Sequence, residues 1–112
     1  MDKVVIVMPT YNEAENIGRM IDELCGQEFL NIKEAEMHLL VVDDNSPDGT
    51  GKGVQDRTKE YDRLHLITGE KQGLGMAYVR GMKHAVKELN ADAVMEMDAD
   101  FQHPPRFVKP MV

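Results

Sequence analysis

The sequence predicts an α/β fold: a mostly parallel sheet with flanking helices. Three observations carry the prediction. Short apolar runs rich in β-branched residues recur along the chain, the pattern of strands buried on both faces. Segments with helical periodicity alternate with them, which is how parallel strands are connected. Finally, three of the runs end in unusual polar stretches: Pro9-Thr10-Tyr11-Asn12-Glu13, Asp43-Asp44-Asn45-Ser46 and Asp98-Ala99-Asp100. A parallel topology gathers such strand ends at one edge, the place where ligands bind in sheets of this kind.

Taken in order, Val4-Val5-Ile6-Val7-Met8 is the first strand, and Pro9 is expected to end it. Asn12 can cap a helix, with Glu15 three residues on as a capping-box partner. Ile17, Met20, Ile21 and Leu24 then share one helical face, and Gly26 is the expected stop. A second run covers residues 37–42 and breaks off in Asp43-Asp44-Asn45-Ser46-Pro47-Asp48-Gly49-Thr50, which has turn chemistry at nearly every position. A helix is expected over residues 51–61 with a thin apolar face, Val54 and Tyr61. Residues 64–68 form a third strand. Gly73-Leu74-Gly75 opens the best helix in the chain, with Leu74, Ala77, Tyr78, Gly81, Met82, Ala85, Val86 and Leu89 as its apolar stripe. Residues 93–97 form the fourth strand, which delivers Asp98.

The 112 residues, 42% of them hydrophobic, fit one domain spanning 1–112. Acidic residues outnumber basic ones 20 to 13, for a net charge of −7. Nonspecific binding to nucleic acid or to an anionic surface is therefore disfavoured, and a phosphate-bearing ligand needs a metal or backbone dipoles to overcome repulsion. The single cysteine, Cys25, allows no intrachain disulfide and suggests a reducing, cytoplasmic compartment. No apolar run approaches the roughly 20 residues that span a bilayer, and no signal peptide is expected.

Asp98 and Asp100 share one side of an extended chain. Two carboxylates at a strand end suit a hard divalent cation, which takes oxygen ligands. Gln102 continues the parity and can add an oxygen, although alone it reads as a loop residue. Glu96 has the same parity but reads as a surface group, and His103, before Pro104-Pro105, as a turn residue. Asp43-Asp44 is a second carboxylate pair at another strand end. A phosphate-loop reading of residues 46–53 fails, because no glycine has the required spacing before Gly51-Lys52 and Gly53 replaces Ser/Thr. Gly73-Leu74-Gly75 lacks the third small residue of a dinucleotide fingerprint. Lys71 and Arg80 flank it, and either can neutralise a phosphate or stay solvated. Tyr11 can stack on a base or cover the core edge. Cys25 reads as a buried structural thiol.

Four stretches taken together resemble the glycosyltransferase family 2 catalytic domain, closest to its dolichyl-phosphate mannosyltransferase (polyprenyl-phosphate sugar transferase) branch. They are Val7-Met8-Pro9-Thr10-Tyr11-Asn12-Glu13-Ala14-Glu15-Asn16-Ile17, Val41-Val42-Asp43-Asp44-Asn45-Ser46-Pro47-Asp48-Gly49-Thr50, Lys71-Gln72-Gly73-Leu74-Gly75-Met76-Ala77-Tyr78, and Met97-Asp98-Ala99-Asp100-Phe101-Gln102-His103-Pro104-Pro105. The resemblance runs over nearly the whole chain. It implies a GT-A (Rossmann-like) fold and a nucleotide-sugar donor, GDP-mannose first. It implies that Pro9, Tyr11 and Glu13 lie against the nucleoside and that Asp43 or Asp44 hydrogen-bonds the base or ribose. Asp98, Asp100 and Gln102 would bind Mg²⁺ or Mn²⁺ on the diphosphate, with Ala99 alongside. Asp98 and Asp100 are thus the catalytic residues, through a cation that neutralises the departing diphosphate. The implied acceptor is a polyprenyl phosphate at the membrane surface, attacking the anomeric carbon with inversion, so a peripheral location at the cytoplasmic membrane face follows. No nucleic-acid partner is implied, and a homo-oligomer is compatible.

The chain departs from that branch in three ways. The family's second half, with its acceptor contacts, has no counterpart before Val112. The segment after Thr50 is glycine-rich, and Arg106 stands where an acidic residue is common. The expectation is the N-terminal donor-binding half of a truncated catalytic domain. The rivals are a non-catalytic folded fragment that binds nucleotide weakly and a family 2 enzyme that uses UDP-glucose.

Overall fold

The computed structural model describes residues 2–69 and 74–97. Strands β1 (Asp2–Thr10), β2 (Ala35–Asp43), β3 (Leu64–Thr68) and β4 (Ala93–Glu96) form one sheet in the order β3-β2-β1-β4, every neighbouring pair parallel. Helices α1 (Ala14–Glu23), α2 (Phe29–Asn31), α3 (Thr50–Thr58) and α4 (Leu74–Lys87) connect them. The predicted α/β fold with a parallel sheet and flanking helices is present.

Two apolar layers hold the sheet. On one face Ile6, Met8, Leu39 and Val41 pack with Ile17, Met20, Ile21 and Leu24 of the first helical connection and Val54 of α3. On the other, Val5, Val7, Leu40 and Val42 meet Ala77 and Ala85 of α4. The alternation along β1 and β2 follows from successive side chains pointing to opposite faces. Both faces are covered, so the strands read as unbroken apolar runs. Gly81 is why α4 sits so close. A Cβ there would stand 2.4 Å from Val7 Cγ1 and 2.9 Å from Val42 Cγ2.

Several local expectations are corrected. Pro9 does not end β1, which continues through Thr10 in register with β2. The backbone of Val7 faces β4, since its carbonyl accepts from Met97 N–H. By the period of two, the missing N–H of Pro9 points the same way, beyond the last β1–β4 pair, Val7↔Glu96, so no ladder bond is lost. Gly26 does not stop the first helix. A π-helical segment, Leu24–Glu28, leads into α2 and carries Phe29 and Ile32 into the core. The glycine gives room to Tyr61, whose hydroxyl would stand 3.2 Å from a Cβ at that position. The stripe assigned to α4 is also too wide. Ala77, Gly81 and Ala85 are buried, but Met82 and Val86 are 37% and 56% exposed. The helix packs on its small residues, so larger neighbours are held off the sheet.

Candidate donor site at the carboxyl edge of the sheet

Thr10 and Asp43 end their strands as register partners. Both point to the face that carries α1 and α3. The Thr10 hydroxyl donates to Asp43 Oδ1 at 2.9 Å. Ser46 donates to the same carboxylate twice, from its hydroxyl to Oδ1 at 2.6 Å and from its N–H to Oδ2 at 2.9 Å. Asp43 is 2% exposed, and these donors satisfy a charge that would otherwise be costly to bury. Gly51, at the start of α3, allows this: a Cβ there would meet Asp43 Oδ2 at 3.1 Å.

Asp44 is turned to the opposite side, toward α4. Its N–H donates to the Thr10 carbonyl, which extends the β1–β2 ladder by one rung. Its carboxylate lies 3.5 Å from Arg80 Nη1, a loose ion pair. Arg80 reaches it across Gly69, where a Cβ would collide with the guanidinium at 2.6 Å. Arg80 is therefore tied to this edge and is not a solvated charge.

The loop after β1 is shaped by the loop after β2. Asn12 takes a left-handed conformation, φ 57°. It does not cap α1. Glu13 holds the cap position without a side-chain cap bond, which corrects the predicted Asn12–Glu15 capping box. The helix start is satisfied from outside. Asn12 N–H donates to Ser46 Oγ at 2.9 Å, Glu13 N–H to Thr50 Oγ1 at 3.0 Å, and Ala14 N–H to Asp48 Oδ2 at 3.1 Å. The Thr50 hydroxyl and the amides of Thr50 and Ala14 hold the Asp48 carboxyl below its ordinary value, the hydroxyl bond being the largest cause. Asn45, at φ 59°, makes the matching left-handed turn after Asp44.

Of the residues predicted from sequence, Pro9, Tyr11, Glu13, Asp43 and Asp44 come together here. Pro9 is buried, Glu13 half-buried and Tyr11 37% exposed. Asp98, Ala99, Asp100 and Gln102 lie outside the described residues, as do Lys71, His103 and Arg106. Met97, one residue before Asp98, is buried with its N–H on the Val7 carbonyl, so β4 ends at this same edge. Sequence reasoning missed Thr10, Ser46, Asp48 and Thr50 as the scaffold of the site. The only available signal was the density of hydroxyl and carboxylate side chains after β2, which also reads as an ordinary turn. An open cavity of 620 Å³ adjoins Asp43 on the α3 side, lined in part by Ser46, Lys52, Gln55, Lys59 and Thr68. That volume is in the range of small-ligand sites.

Among the described residues no group of three or more His, Cys, Asp or Glu side chains could hold a metal ion. The carboxylate of Asp43 is taken by hydroxyls and an amide, and that of Asp44 by Arg80.

A parallel sheet with polar loops gathered at its carboxyl edge is the open α/β arrangement, in which ligands bind beyond the strand ends. The family follows from comparison: residues 5–112 match the model of "Glycosyl transferase family 2", and the chain belongs to that family. It is 34% identical over 110 residues to the dolichol-phosphate mannosyltransferase of Pyrococcus furiosus, covering 98% of this chain and 29% of that protein. It is 38% identical over 108 residues to the undecaprenyl-phosphate mannosyltransferase of Micrococcus luteus, covering 92% and 40%. Among solved structures it is similar to the mannosyltransferase PcManGT of Pyrobaculum calidifontis in complex with GDP-Man and Mn²⁺. The TM-score is 0.75 at 29% identity, over 93% of this chain and 29% of that one. S. aureus TarS in complex with UDP matches with a TM-score of 0.64 at 28% identity, over 89% of this chain and 28% of that one. The fold is thus the GT-A, Rossmann-like one. The chain spans 29% to 40% of the length of these curated relatives.

Proposed function

We propose that the chain is the donor-binding half of a metal-dependent, inverting glycosyltransferase that moves mannose from GDP-mannose to a polyprenyl phosphate. One observation carries the reading: residues 9–13 and Asp44 converge at the carboxyl edge of the sheet where β4 ends, two residues before Asp98. The names of the mannosyl relatives, and the GDP-Man and Mn²⁺ in PcManGT, support the donor and the acceptor class.

In this reading Asp44 faces the nucleoside and Asp43 builds the wall behind it. The support is the hydrogen-bond inventory. Asp43 already accepts three hydrogen bonds inside the protein, whereas the pair between Asp44 and Arg80 is long enough to yield to a ribose or base donor. Pro9 forms the floor, Tyr11 offers a ring to the base, and Glu13 closes the nucleoside side. Asp98, Asp100 and Gln102 hold Mg²⁺ or Mn²⁺, with Ala99 alongside, and the cation supplies charge neutralisation on the diphosphate. No described helix is long and apolar enough to cross a membrane. In this reading, as the family resemblance implies, a lipid-phosphate acceptor is met at the membrane surface, from the cytoplasmic face.

Titration calorimetry of GDP with and without Mn²⁺ tests the proposal. The expected result is metal-dependent binding, abolished by Asp98→Ala and Asp100→Ala. Asp44→Asn should weaken it about tenfold, the worth of one charge-assisted hydrogen bond. Binding that ignores Mn²⁺ or survives both Ala substitutions refutes it. A second reading, a UDP-sugar donor, is favoured by the similarity to UDP-bound TarS; tighter binding of UDP than GDP would establish it. A radiolabelled sugar-transfer assay distinguishes a binding-only chain from a catalytic one.

A further inference from the structure

Helix α1 begins without a cap of its own, yet three successive N–H groups at its start are all satisfied. The acceptors come from a single stretch, residues 46–50, and each is itself anchored. Ser46 Oγ gives its proton to Asp43 Oδ1, and the Thr50 hydroxyl gives its proton to Asp48 Oδ1. Each hydroxyl thus has its proton committed to a carboxylate and its lone pair turned toward the loop of residues 11–14. Thr50 is fully buried and occupies the first position of α3. At its other end, the loop is fixed through Thr10 on Asp43. Tyr11 is consequently held between two residues, Thr10 and Asn12, that reach the same Asp43 carboxylate, one directly and one through Ser46.

We propose that Ser46, Asp48 and Thr50 are positioning residues for nucleotide binding: they set the backbone that presents Tyr11 and Glu13. The inference rests on the donor-site reading above. It assigns to the Ser-Pro-Asp-Gly-Thr stretch a task beyond forming a turn. A hydroxyl suits positions 46 and 50, because its single oxygen donates to a carboxylate and accepts from an amide at one point in space. A carboxylate is required at 48, because it accepts from Thr50 and Ala14 together.

Thr50→Val tests this, since it keeps the shape and removes the acceptor of Glu13 N–H. GDP–Mn²⁺ affinity should fall about tenfold, comparable to a direct contact because the loop loses its set conformation. Thr50→Ser should restore it. Arg57→Ala is the control. It removes the paired bonds to Asp22, at 3.2 and 3.3 Å, that tie α3 to α1 away from the loop. It should lower the melting temperature and leave affinity unchanged. Amide exchange of Asn12, Glu13 and Ala14 in the ligand-free protein gives an independent readout, and Glu13 should exchange faster in Thr50→Val. Wild-type affinity in Thr50→Val, or an equal loss in Arg57→Ala, overturns the proposal. If the wild-type chain binds no nucleotide, the donor-site reading falls. Glu13 exchange then decides alone, and an unchanged rate in Thr50→Val overturns the positioning role.

Discussion

Replacing Gly81 with alanine should destabilise the protein, while the same replacement at Gly53 should stabilise it. In the middle of a helix, alanine is favoured over glycine by about 0.8–1 kcal/mol. At Gly53, in α3, nothing stands within 4 Å of the added Cβ, so most of that gain should appear. At Gly81 the Cβ would lie 2.4 Å from Val7 Cγ1 and 2.9 Å from Val42 Cγ2, against a comfortable carbon–carbon separation of roughly 3.5–4 Å. Neither valine can easily give way. Both are fully buried, their χ1 angles are stiff, and their strands have neighbours on both sides. Helix α4 must then lift by roughly 1 Å, and the 2.4 Å approach puts the cost in the upper part of the overpacking range, about 2–3 kcal/mol. The net loss for Gly81→Ala is about 1–2 kcal/mol, or several degrees in Tm for a domain of this size. Urea unfolding reads both variants, with the midpoint moving down for Gly81→Ala and up for Gly53→Ala at constant slope. A neutral or stabilising Gly81→Ala would refute the depth at which α4 is seated, and with it the reach of Arg80 to Asp44.

Two further outcomes follow from titratable groups. His65 stacks on His38 with ring centroids 5.1 Å apart. Its Nε2 lies 2.9 Å from His38 Nδ1, while His38 Nε2 lies 2.6 Å from Glu36. Burial, then the charges of His38, His84 and Lys3, depress the His65 pKa below its ordinary 6.5. The fold therefore favours neutral His65. Stability should be intact above pH 6.5 and fall as pH drops from 6.5 through the lower folded value, and His65→Gln should flatten that limb of the urea midpoint profile. Cys25 is buried and its thiol is pushed up to about 12, chiefly by burial and then by the nearby Asp22 charge. A thiol reagent at pH 8 should label it only after urea unfolds the chain, and rapid labelling of the native protein would contradict its place in the core.

The strands were legible because a sheet covered on both faces writes its burial as unbroken runs, such as Val4 to Met8 and Leu39 to Val42. The convergence of residues 9–13 with Asp43 and Asp44 was legible too, since parallel order alone puts strand ends together. What eluded the sequence depended on partners distant along the chain. Asn12 has the chemistry of a cap, but acceptors 34 to 37 residues away took the helix start and left Asn12 to make the turn. Gly26 looks like a stop until Tyr61 is known to lie against it. Asp43 and Asp44 are adjacent and chemically identical, and only strand parity and the position of Arg80 separate wall from binding face. Met82 and Val86 fit a helical stripe, yet Gly81 and the two alanines set how deep the helix goes.

The bond between Thr10 and Asp43 has a consequence for assembly as well as for binding. A slip of one residue between β1 and β2 would exchange faces along the whole strand, carrying Asp43 over toward α4 and Asp44 toward α3. Thr10 would then face a valine or the wrong aspartate, and Asp43 would lose the Thr10 hydroxyl. The same side chain that walls the site thus acts as a parity check on folding. A chain with an intact carboxyl edge has its two central strands in step, and a misaligned one leaves the Asp43 carboxylate short of one donor.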